Sequence, residues 1–288
     1  MIPAIDGHQH FWDTRLVPLP WLRPAHAAIE GPFTPDELAP QLVSAGIDRT
    51  ILVQSANLDA DTDAMLGHAR QHPWIAAVVA WLPLAEPQRT RERLAALADE
   101  PKVRGVRHLI HDEPDPHWIL RAPVLESLAL VAERELVLEL PAVWPRHLAD
   151  VPELARSFPT LSIVIDHLGK PPIGRDGFDD WALALHSAAA EPNVAAKISG
   201  LNTATDKRDW SAADFGAPVR VALEAFGPER LLCGSDWPYS LLNGGDYERV
   251  WRETRRAIVA AQELLLVGTA ERLYRLSTPG EEVRDGAH

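Results

Sequence analysis

The chain has 288 residues, of which 46% are hydrophobic and 24% are charged, and its formal net charge is −13. Nucleic-acid binding requires clustered Lys and Arg, so this charge argues against a nucleic-acid partner but is compatible with a small anionic substrate. No apolar run reaches the length of about 18 residues that a membrane span needs, and no basic signal segment precedes the first motif. With one cysteine, Cys233, an intramolecular disulfide is excluded, and we expect a cytoplasmic protein without membrane contact.

Short apolar, β-branched segments recur along the chain at intervals of roughly 20 to 45 residues, about the length of one strand-plus-helix unit. They predict eight strands: Ile2–His10, Thr50–Ser55, Ile75–Leu82, Val103–Ile110, Glu135–Leu140, Leu161–His167, Val194–Ser199 and Leu231–Asp236. Most of these segments are continuously apolar rather than alternating. That pattern is typical of parallel strands that are covered on both faces.

Segments with helical periodicity lie between these strands. Thr34-Pro35-Asp36-Glu37 supplies an N-cap, a proline at the first position and acidic residues in the first turn, so we predict a helix from there to about Gly46. The other predicted helices are Arg91–Asp99, Val124–Glu133, Pro145–Ser157, Trp181–Ala190, Pro218–Phe226 and Tyr247–Ala261. This alternation, without a Gly-x-Gly-x-x-Gly loop, predicts an α/β fold: a single-domain (β/α)8 barrel over residues 1–276, with a frayed tail at 277–288.

Ionisable residues stand at the C-terminal ends of the predicted strands, where such barrels have their active sites. His8 and His10 end the first strand, and residues two apart in a strand point to the same side. His167 ends the sixth strand and Asp236 ends the eighth. Three imidazoles and a carboxylate around one point cost stability unless they bind a ligand. We therefore predict that these four residues form an active site.

For other polar residues near the strand ends, a structural role is at least as well supported as a catalytic one. Lys197 on the seventh strand is either an imine-forming amine, as in an aldolase, or a partner in an ion pair inside the barrel, which we favour. Asp166 is better explained as an anchor for a neighbouring cation, and Cys233 as a small buried hydrophobic residue. Whether His111 reaches the site from the loop after strand four stays open.

Four segments of the chain resemble the amidohydrolase superfamily: Asp6-Gly7-His8-Gln9-His10-Phe11-Trp12, Gly105-Val106-Arg107-His108-Leu109-Ile110, Asp166-His167-Leu168-Gly169-Lys170-Pro171 and Gly234-Ser235-Asp236-Trp237-Pro238. Members carry His-x-His on strand one, histidine on strand six and aspartate on strand eight. Together the segments are similar to the sugar-lactonase branch, which includes L-fuconolactonases and L-rhamnonolactonases. The resemblance implies a hydrolase that opens a sugar-acid lactone, with the small lactone as its partner.

The chemistry of lactone opening assigns expected roles to these residues. Asp236 is expected to be the general base that deprotonates the attacking water, while His8, His10 and His167 polarise the carbonyl. The expected substrate-binding residues are Arg107, His108, His111, Trp12 and Trp237. Tryptophan faces are common partners of the C–H side of a sugar, which is why the last two are included.

The expected metal content departs from that of the family's binuclear zinc enzymes. Those enzymes need a histidine on strand five, and the predicted strand Glu135–Leu140 has none. We expect no obligatory metal, although the four predicted catalytic residues would suffice to hold a single zinc or manganese ion. The alternatives are a metal-dependent amidohydrolase or aromatic-acid decarboxylase on the same barrel, and a sugar-binding barrel without turnover. A homodimer is compatible with the sequence.

Overall fold

The structure, a computed structural model, describes residues 4–258 and 262–276. Its strands are β1 (Ile5–Gln9), β2 (Arg49–Val53), β3 (Ile75–Trp81), β4 (Val103–Arg107), β5 (Val137–Leu140), β6 (Ile163–Ile165), β7 (Val194–Ile198) and β8 (Leu231–Cys233). Its α-helices are α1 (Pro35–Ala45), α2 (Asp59–Gln71), α3 (Pro87–Ala96), α4 (Ala122–Glu133), α5 (Val151–Ser157), α6 (Phe178–Ala189), α7 (Ala212–Phe226), α8 (Tyr247–Ala257) and α9 (Thr269–Tyr274). The predicted tail at 277–288 lies outside the described residues, as do Ile2 and Pro3 of the first predicted strand and residues 259–261 of the last predicted helix.

The eight strands form one sheet in chain order, and each pairs in parallel with the next. Between β8 and β1 the barrel closes through a single parallel bridge, from Gln9 to Trp237. Two backbone hydrogen bonds support this bridge: His10 N donates to Trp237 O at 2.7 Å, and Asp236 N donates to His8 O at 2.8 Å. The predicted (β/α)8 barrel is thereby confirmed. It closes next to His8 and His10.

A cluster of apolar side chains fills the inside of the barrel. The inward-facing strand residues of this cluster are Ile5, Ile51, Val53, Ala77, Val79, Val137, Val164, Ala195 and Leu232. Tyr274 of α9 belongs to the same cluster, and Arg49 at the start of β2 forms an ion pair with Glu271 of α9. Helix α9 therefore covers the N-terminal ends of the strands, opposite the predicted site.

All strands except β5 end earlier than predicted, and two of these ends place site residues outside the strands. Strand β6 ends at Ile165 rather than His167, and β8 ends at Cys233 rather than Asp236. The cause is the backbone: φ is 54° at His167 and 59° at Asp236, which is the left-handed region and incompatible with a strand. Both site residues therefore lie in turns beyond the strands.

The helix predictions need correction at several ends. Helices α2 and α9 were not predicted, and α5 begins at Val151 rather than Pro145. Helix α7 begins with a capping box of Ser211 and Asp214, so Pro218 lies inside the helix instead of starting it. Among the described residues, no helix combines the length and apolar character needed to cross a bilayer.

Candidate active site

A cavity of about 490 Å³ opens at the C-terminal ends of the strands. The described residues that line it are His10, Trp12, Trp21, His26, Gln54, Ser55, Arg107, Leu109, His111, Asp112, Pro141, Val143, Arg146, His147, His167, Lys170, Thr203, Asp236 and Tyr239. Three of the four predicted catalytic residues are in this set. The fourth, His8, is completely buried next to them.

Asp6 fixes β1 against the loop after β8. Its Oδ1 accepts hydrogen bonds from the backbone N of His8 at 3.1 Å and of Ser235 at 2.8 Å. Its Oδ2 accepts one from the Tyr247 hydroxyl at 2.9 Å. The two segments approach so closely that a Cβ on Gly234 would lie 2.7 Å from His8 N, so this position requires glycine. The sequence thus places the first histidine and Asp236 side by side.

The hydrogen bonds of His8 and His10 assign opposite donor and acceptor roles to the two rings. His10 Nδ1 lies 2.8 Å from the carbonyl O of Val53, which can only accept, so Nδ1 holds a proton and, when the ring is uncharged, Nε2 presents a lone pair to the site. Lys197 Nζ lies 3.1 Å from His8 Nδ1, and an ammonium can only donate, so His8 carries its proton on Nε2. The two Nε2 atoms are 3.1 Å apart, as a hydrogen bond from His8 to His10 requires.

Asp236 lies among three imidazoles and one ammonium. Its Oδ1 is 3.5 Å from Nε2 of His10 and 3.8 Å from Nε2 of both His8 and His167. Its Oδ2 is 3.8 Å from Nζ of Lys170. Burial raises the pKa of the Asp236 carboxyl, but His167, His10 and Lys170 lower it by more, so the net pKa lies below its usual value. The Asp236 carboxyl is therefore ionised at neutral pH.

A stretch of left-handed backbone turns His167 and Lys170 into the cavity. The φ angles are 54° at His167, 52° at Leu168, 69° at Gly169 and 56° at Lys170. Such runs are unfavourable for L-residues and persist where the surrounding structure fixes them, commonly at functional sites. Burial lowers the pKa of His167 to about 3, so its ring is neutral, and its Nδ1 lies 2.8 Å from Ser199 Oγ.

Two acidic and two basic side chains form ion pairs next to the cavity. Lys197 Nζ lies 2.6 Å from Glu139 Oε2 and 3.7 Å from Asp166 Oδ1, and Arg107 Nε lies 3.1 Å from Asp166 Oδ2. Lys197 is completely buried and is not among the described residues that line the cavity. These contacts support the ion-pair interpretation of Lys197 and leave no access for an imine-forming substrate.

Three of the five predicted substrate-binding residues, Arg107, Trp12 and His111, line the cavity. Burial beside Arg107 lowers the pKa of His111, so the ring offers a neutral donor and acceptor to a substrate. Sequence reasoning did not predict Lys170 or Tyr239 as site residues. Lys170 stands three residues after His167, in one of the four segments that resemble the superfamily. A positive charge so close to a predicted catalytic residue could have indicated that it belongs to the site.

The other two predicted substrate-binding residues, His108 and Trp237, are not among the described lining residues. Neighbours in a strand point to opposite sides, so Arg107 at the end of β4 faces inward while His108 faces away and stacks on Trp118 at 4.2 Å. Trp237 follows the left-handed turn and packs edge-on against Phe33 at 5.5 Å. The structure therefore does not place them against a substrate in this cavity.

Several side chains of the site could together ligate a metal ion. Ligating atoms of His8, His10 and Asp236 lie within 4.8 Å of one another, as do those of His8, Asp166 and His167. Imidazole nitrogens and carboxylate oxygens at such separations suit one divalent ion such as zinc. These residues therefore fit a single ion.

Gly200 provides space for the Asp236 carboxylate, and we expect Gly200→Ala to impair the site. Its φ is 58°, and a Cβ would lie 2.6 Å from Asp236 Oδ2. Displacing the base by such a contact should lower kcat/KM by about 100-fold. The matched control is Gly174→Ala, since Gly174 has a φ of 72° but no neighbour within 4 Å of a Cβ. If the steady-state rates of the two variants fall equally, contact with Asp236 is not the reason for Gly200.

The fold and the position of these residues define an amidohydrolase: the chain belongs to that family, whose sequence profile matches residues 5–276. Within it, a protein of Burkholderia ambifaria named L-fucono-1,5-lactonase is 37% identical over 283 residues, covering 96% of each chain. A protein of the same name from Burkholderia multivorans is 34% identical over 293 residues, covering 96% of this chain and 97% of the relative.

Solved structures agree with this assignment. A crystal structure of an amidohydrolase from Burkholderia multivorans with bound zinc superimposes with a TM-score of 0.88 at 34% identity, covering 95% of this chain and 99% of that one. The same values hold for a second crystal form of that amidohydrolase with bound HEPES. The resemblance inferred from the four sequence segments is thereby confirmed.

Proposed function

We propose that this protein is a lactonase, a carboxylic ester hydrolase that opens a sugar-acid lactone similar to L-fucono-1,5-lactone. The observation that carries the proposal is the ionised Asp236 among three imidazoles at a cavity of about 490 Å³. The two relatives named L-fucono-1,5-lactonase support the substrate class. The cytoplasmic location and the homodimer stay predictions from the sequence.

Asp236 activates the attacking water in this proposal. The water binds between the carboxylate and the Nε2 lone pair of His10, which are 3.5 Å apart at their nearest atoms. Asp236 takes one proton while the water oxygen bonds to the lactone carbonyl carbon. A positioned general base of this kind contributes about 10²- to 10⁴-fold to the rate. His10 accordingly accepts a hydrogen bond and orients the water, instead of polarising the carbonyl as the sequence suggested.

Donors on the other side of the site stabilise the oxyanion of the tetrahedral intermediate. The Nε2–H of His8 leaves His10 to donate to the oxyanion, which frees the His10 lone pair for the water, and Arg107 Nη1 lies 3.4 Å from the His8 nitrogen. His167 lies across the site, 3.8 Å from Asp236. When the intermediate collapses, the bond from the carbonyl carbon to the ring oxygen breaks, and Asp236 returns its proton to that oxygen. The Lys170 ammonium stabilises the negative charge that develops there.

The same residues would hold a single metal ion. His8, His10, His167 and Asp236 would be its ligands once His8 Nε2 had released its proton, and a bound ion would supply Lewis-acid polarisation of the lactone carbonyl. We propose that the ion is not obligatory, because the charged and hydrogen-bonding groups of the site suffice for an activated ester.

Aromatic rings form one wall of the cavity and suit the C–H face of a sugar ring. The centroid of Trp21 lies 5.6 Å from that of Trp12 and 6.1 Å from that of Tyr239. The Trp12 and Trp21 indole N–H groups already donate to backbone carbonyls, so both rings are held in place. Rigid aromatic faces opposite charged groups are a common arrangement for binding polyhydroxylated rings.

Acid release from a panel of lactones tests the proposal. Chelator-treated protein, with its metal content measured, is given L-fucono-, L-rhamnono- and L-galactonolactone, and 2,6-dihydroxybenzoate serves as the decarboxylase substrate. We expect rapid acid release from at least one sugar lactone without added metal. Hydrolysis that returns only with zinc or manganese would make the ion essential. Turnover of the benzoate alone would replace the lactonase proposal with the decarboxylase alternative.

A further inference from the structure

Tyr274 of α9 reaches into the barrel from the end opposite the cavity. Its side chain is completely buried, and its hydroxyl donates to Glu139 Oε1 at 2.6 Å. Its ring faces the ammonium of Lys197, with Nζ 5.7 Å from the ring centroid, which is a cation–π contact. Tyr274 is not among the described residues that line the cavity, so any effect on the reaction must pass through other side chains.

Glu139 and Lys197 extend these contacts to His8. The Tyr274 hydroxyl occupies Oε1 of Glu139, and the other oxygen, Oε2, lies 2.6 Å from Lys197 Nζ. Lys197 Nζ in turn lies 3.1 Å from His8 Nδ1. All four residues are completely buried, so bulk water does not compete for these contacts. A continuous chain of polar contacts therefore runs through the barrel from α9 to the site.

Asp166 competes with Lys197 over the position of the His8 proton. Asp166 Oδ1 lies 3.3 Å from His8 Nδ1 and would accept a proton held there, whereas the Lys197 ammonium can only donate to that nitrogen. With Lys197 in place, the proton is on Nε2, where the proposed mechanism needs a donor to the oxyanion. Without that contact, Asp166 would draw the proton to Nδ1, and Nε2 would become an acceptor. The position of Lys197 thus decides whether His8 stabilises the oxyanion.

We propose that Tyr274 is a positioning residue that keeps His8 a donor to the oxyanion, acting through Glu139 and Lys197. Its hydroxyl fixes one oxygen of the Glu139 carboxylate, so that the other oxygen faces Lys197. Its ring faces the ammonium directly, and the two contacts together hold Lys197 against His8 Nδ1. This inference rests on the proposed function and gives α9, at the far end of the barrel, a part in catalysis.

The kinetics of Tyr274→Phe and Tyr274→Leu test the proposal. Phenylalanine removes the hydroxyl and keeps the ring, whereas leucine removes both. We expect kcat to fall by about tenfold in the first variant and by more in the second, up to the roughly 10²- to 10³-fold that loss of a whole oxyanion donor costs. KM should change little in either variant, because Tyr274 does not line the cavity. An unchanged kcat in both variants would overturn the proposal.

Thr90→Val is the matched control for the loss of a buried hydroxyl. Thr90 on α3 is also completely buried, and its hydroxyl donates to Pro83 O at 2.9 Å, outside the site. Both Thr90→Val and Tyr274→Phe should lower the Tm, since each removes one buried hydrogen bond. Only Tyr274→Phe should lower kcat. Equal losses of kcat in the two variants would assign the effect to lost stability and overturn the positioning role.

The ¹⁵N NMR spectrum of histidine-labelled, chelator-treated protein reports the His8 tautomer independently of turnover. A ring nitrogen that holds a proton and one that presents a lone pair resonate at different frequencies, and the His8 signals are those missing from His8→Gln. We expect the proton on Nε2 in the wild type, and a shift of population towards Nδ1 in Tyr274→Phe. An identical tautomer in the two proteins would contradict the proposal.

A proton on Nδ1 in the wild type would overturn the proposal even if no Tyr274 variant folds. Failure of the wild type to open any sugar lactone would refute the proposed function instead. The two failures are distinguishable, because the tautomer is read without substrate.

Discussion

Replacing Asp236 with asparagine should reduce kcat by at least about 10³-fold while the barrel stays folded. The amide keeps the shape of the carboxylate but cannot accept the proton of the attacking water. The Asp236 Oδ1 lies within 4 Å of all three imidazoles, at 3.5 Å from His10 Nε2 and 3.8 Å from Nε2 of both His8 and His167. The rate is measured by acid release with a pH indicator, and circular dichroism checks the fold.

Asp112→Asn is the matched control for this variant. Asp112 also lines the cavity, but it follows β4 and contributes to neither group of metal-ligating atoms described above. We expect its kcat to stay within a few fold of the wild type. If Asp236→Asn retained near-normal turnover, the general base would have to be another group, and the proposed mechanism would be wrong.

The Lys197→Met substitution should destabilise the barrel by about 3–5 kcal/mol, because it leaves the buried carboxylate of Glu139 without its partner. Nζ and Oε2 are 2.6 Å apart, and both side chains have 0% exposure. Urea unfolding measures the change. Arg220→Met, which breaks an exposed pair with Glu224, is the surface control and should leave stability nearly unchanged. An equal effect of the two variants would contradict this account.

The loss in Lys197→Met should grow with pH. Burial raises the pKa of Glu139 to about 7 against the opposing charge of Lys197, so removing Lys197 raises it further. Above pH 7 the native variant then holds a proton that the native wild type has released, while both unfolded chains are ionised. The variant therefore loses up to about 1.4 kcal/mol per pH unit relative to the wild type in that window. Adding Glu139→Gln should remove this dependence and restore part of the stability.

The barrel was predictable because its strands are buried on both faces and alternate with helices at a regular spacing. Helix α2 escaped prediction because its thirteen residues carry three aspartates and few apolar side chains, and its N-cap, Leu58, gives no capping signal. The early ends of β6 and β8 depend on residues with left-handed backbone, such as His167. Left-handed backbone is unfavourable for L-residues, so nothing in the local sequence predicts it there. Tertiary contacts, not propensity, decide those ends.

The proximity of His8, His10, His167 and Asp236 followed from their places at strand ends. Their individual chemistry did not, because it depends on second partners far away in sequence. Lys197, 189 residues from His8, makes that ring a donor at Nε2, while Val53 makes His10 an acceptor. The alternation of side chains along β4 could have placed His108 outside the cavity, whereas the outward turn of Trp237 depends on the φ of Asp236.

The most direct test of the account is the progress of L-fucono-1,5-lactone opening by NMR with a catalytic amount of chelator-treated protein. Because such lactones also open in water, buffer alone and Asp236→Asn are run beside the wild type. The wild type should deplete the lactone many times faster than buffer, and the variant should match buffer. A wild-type trace that follows the buffer trace, with or without added zinc, would contradict this expectation.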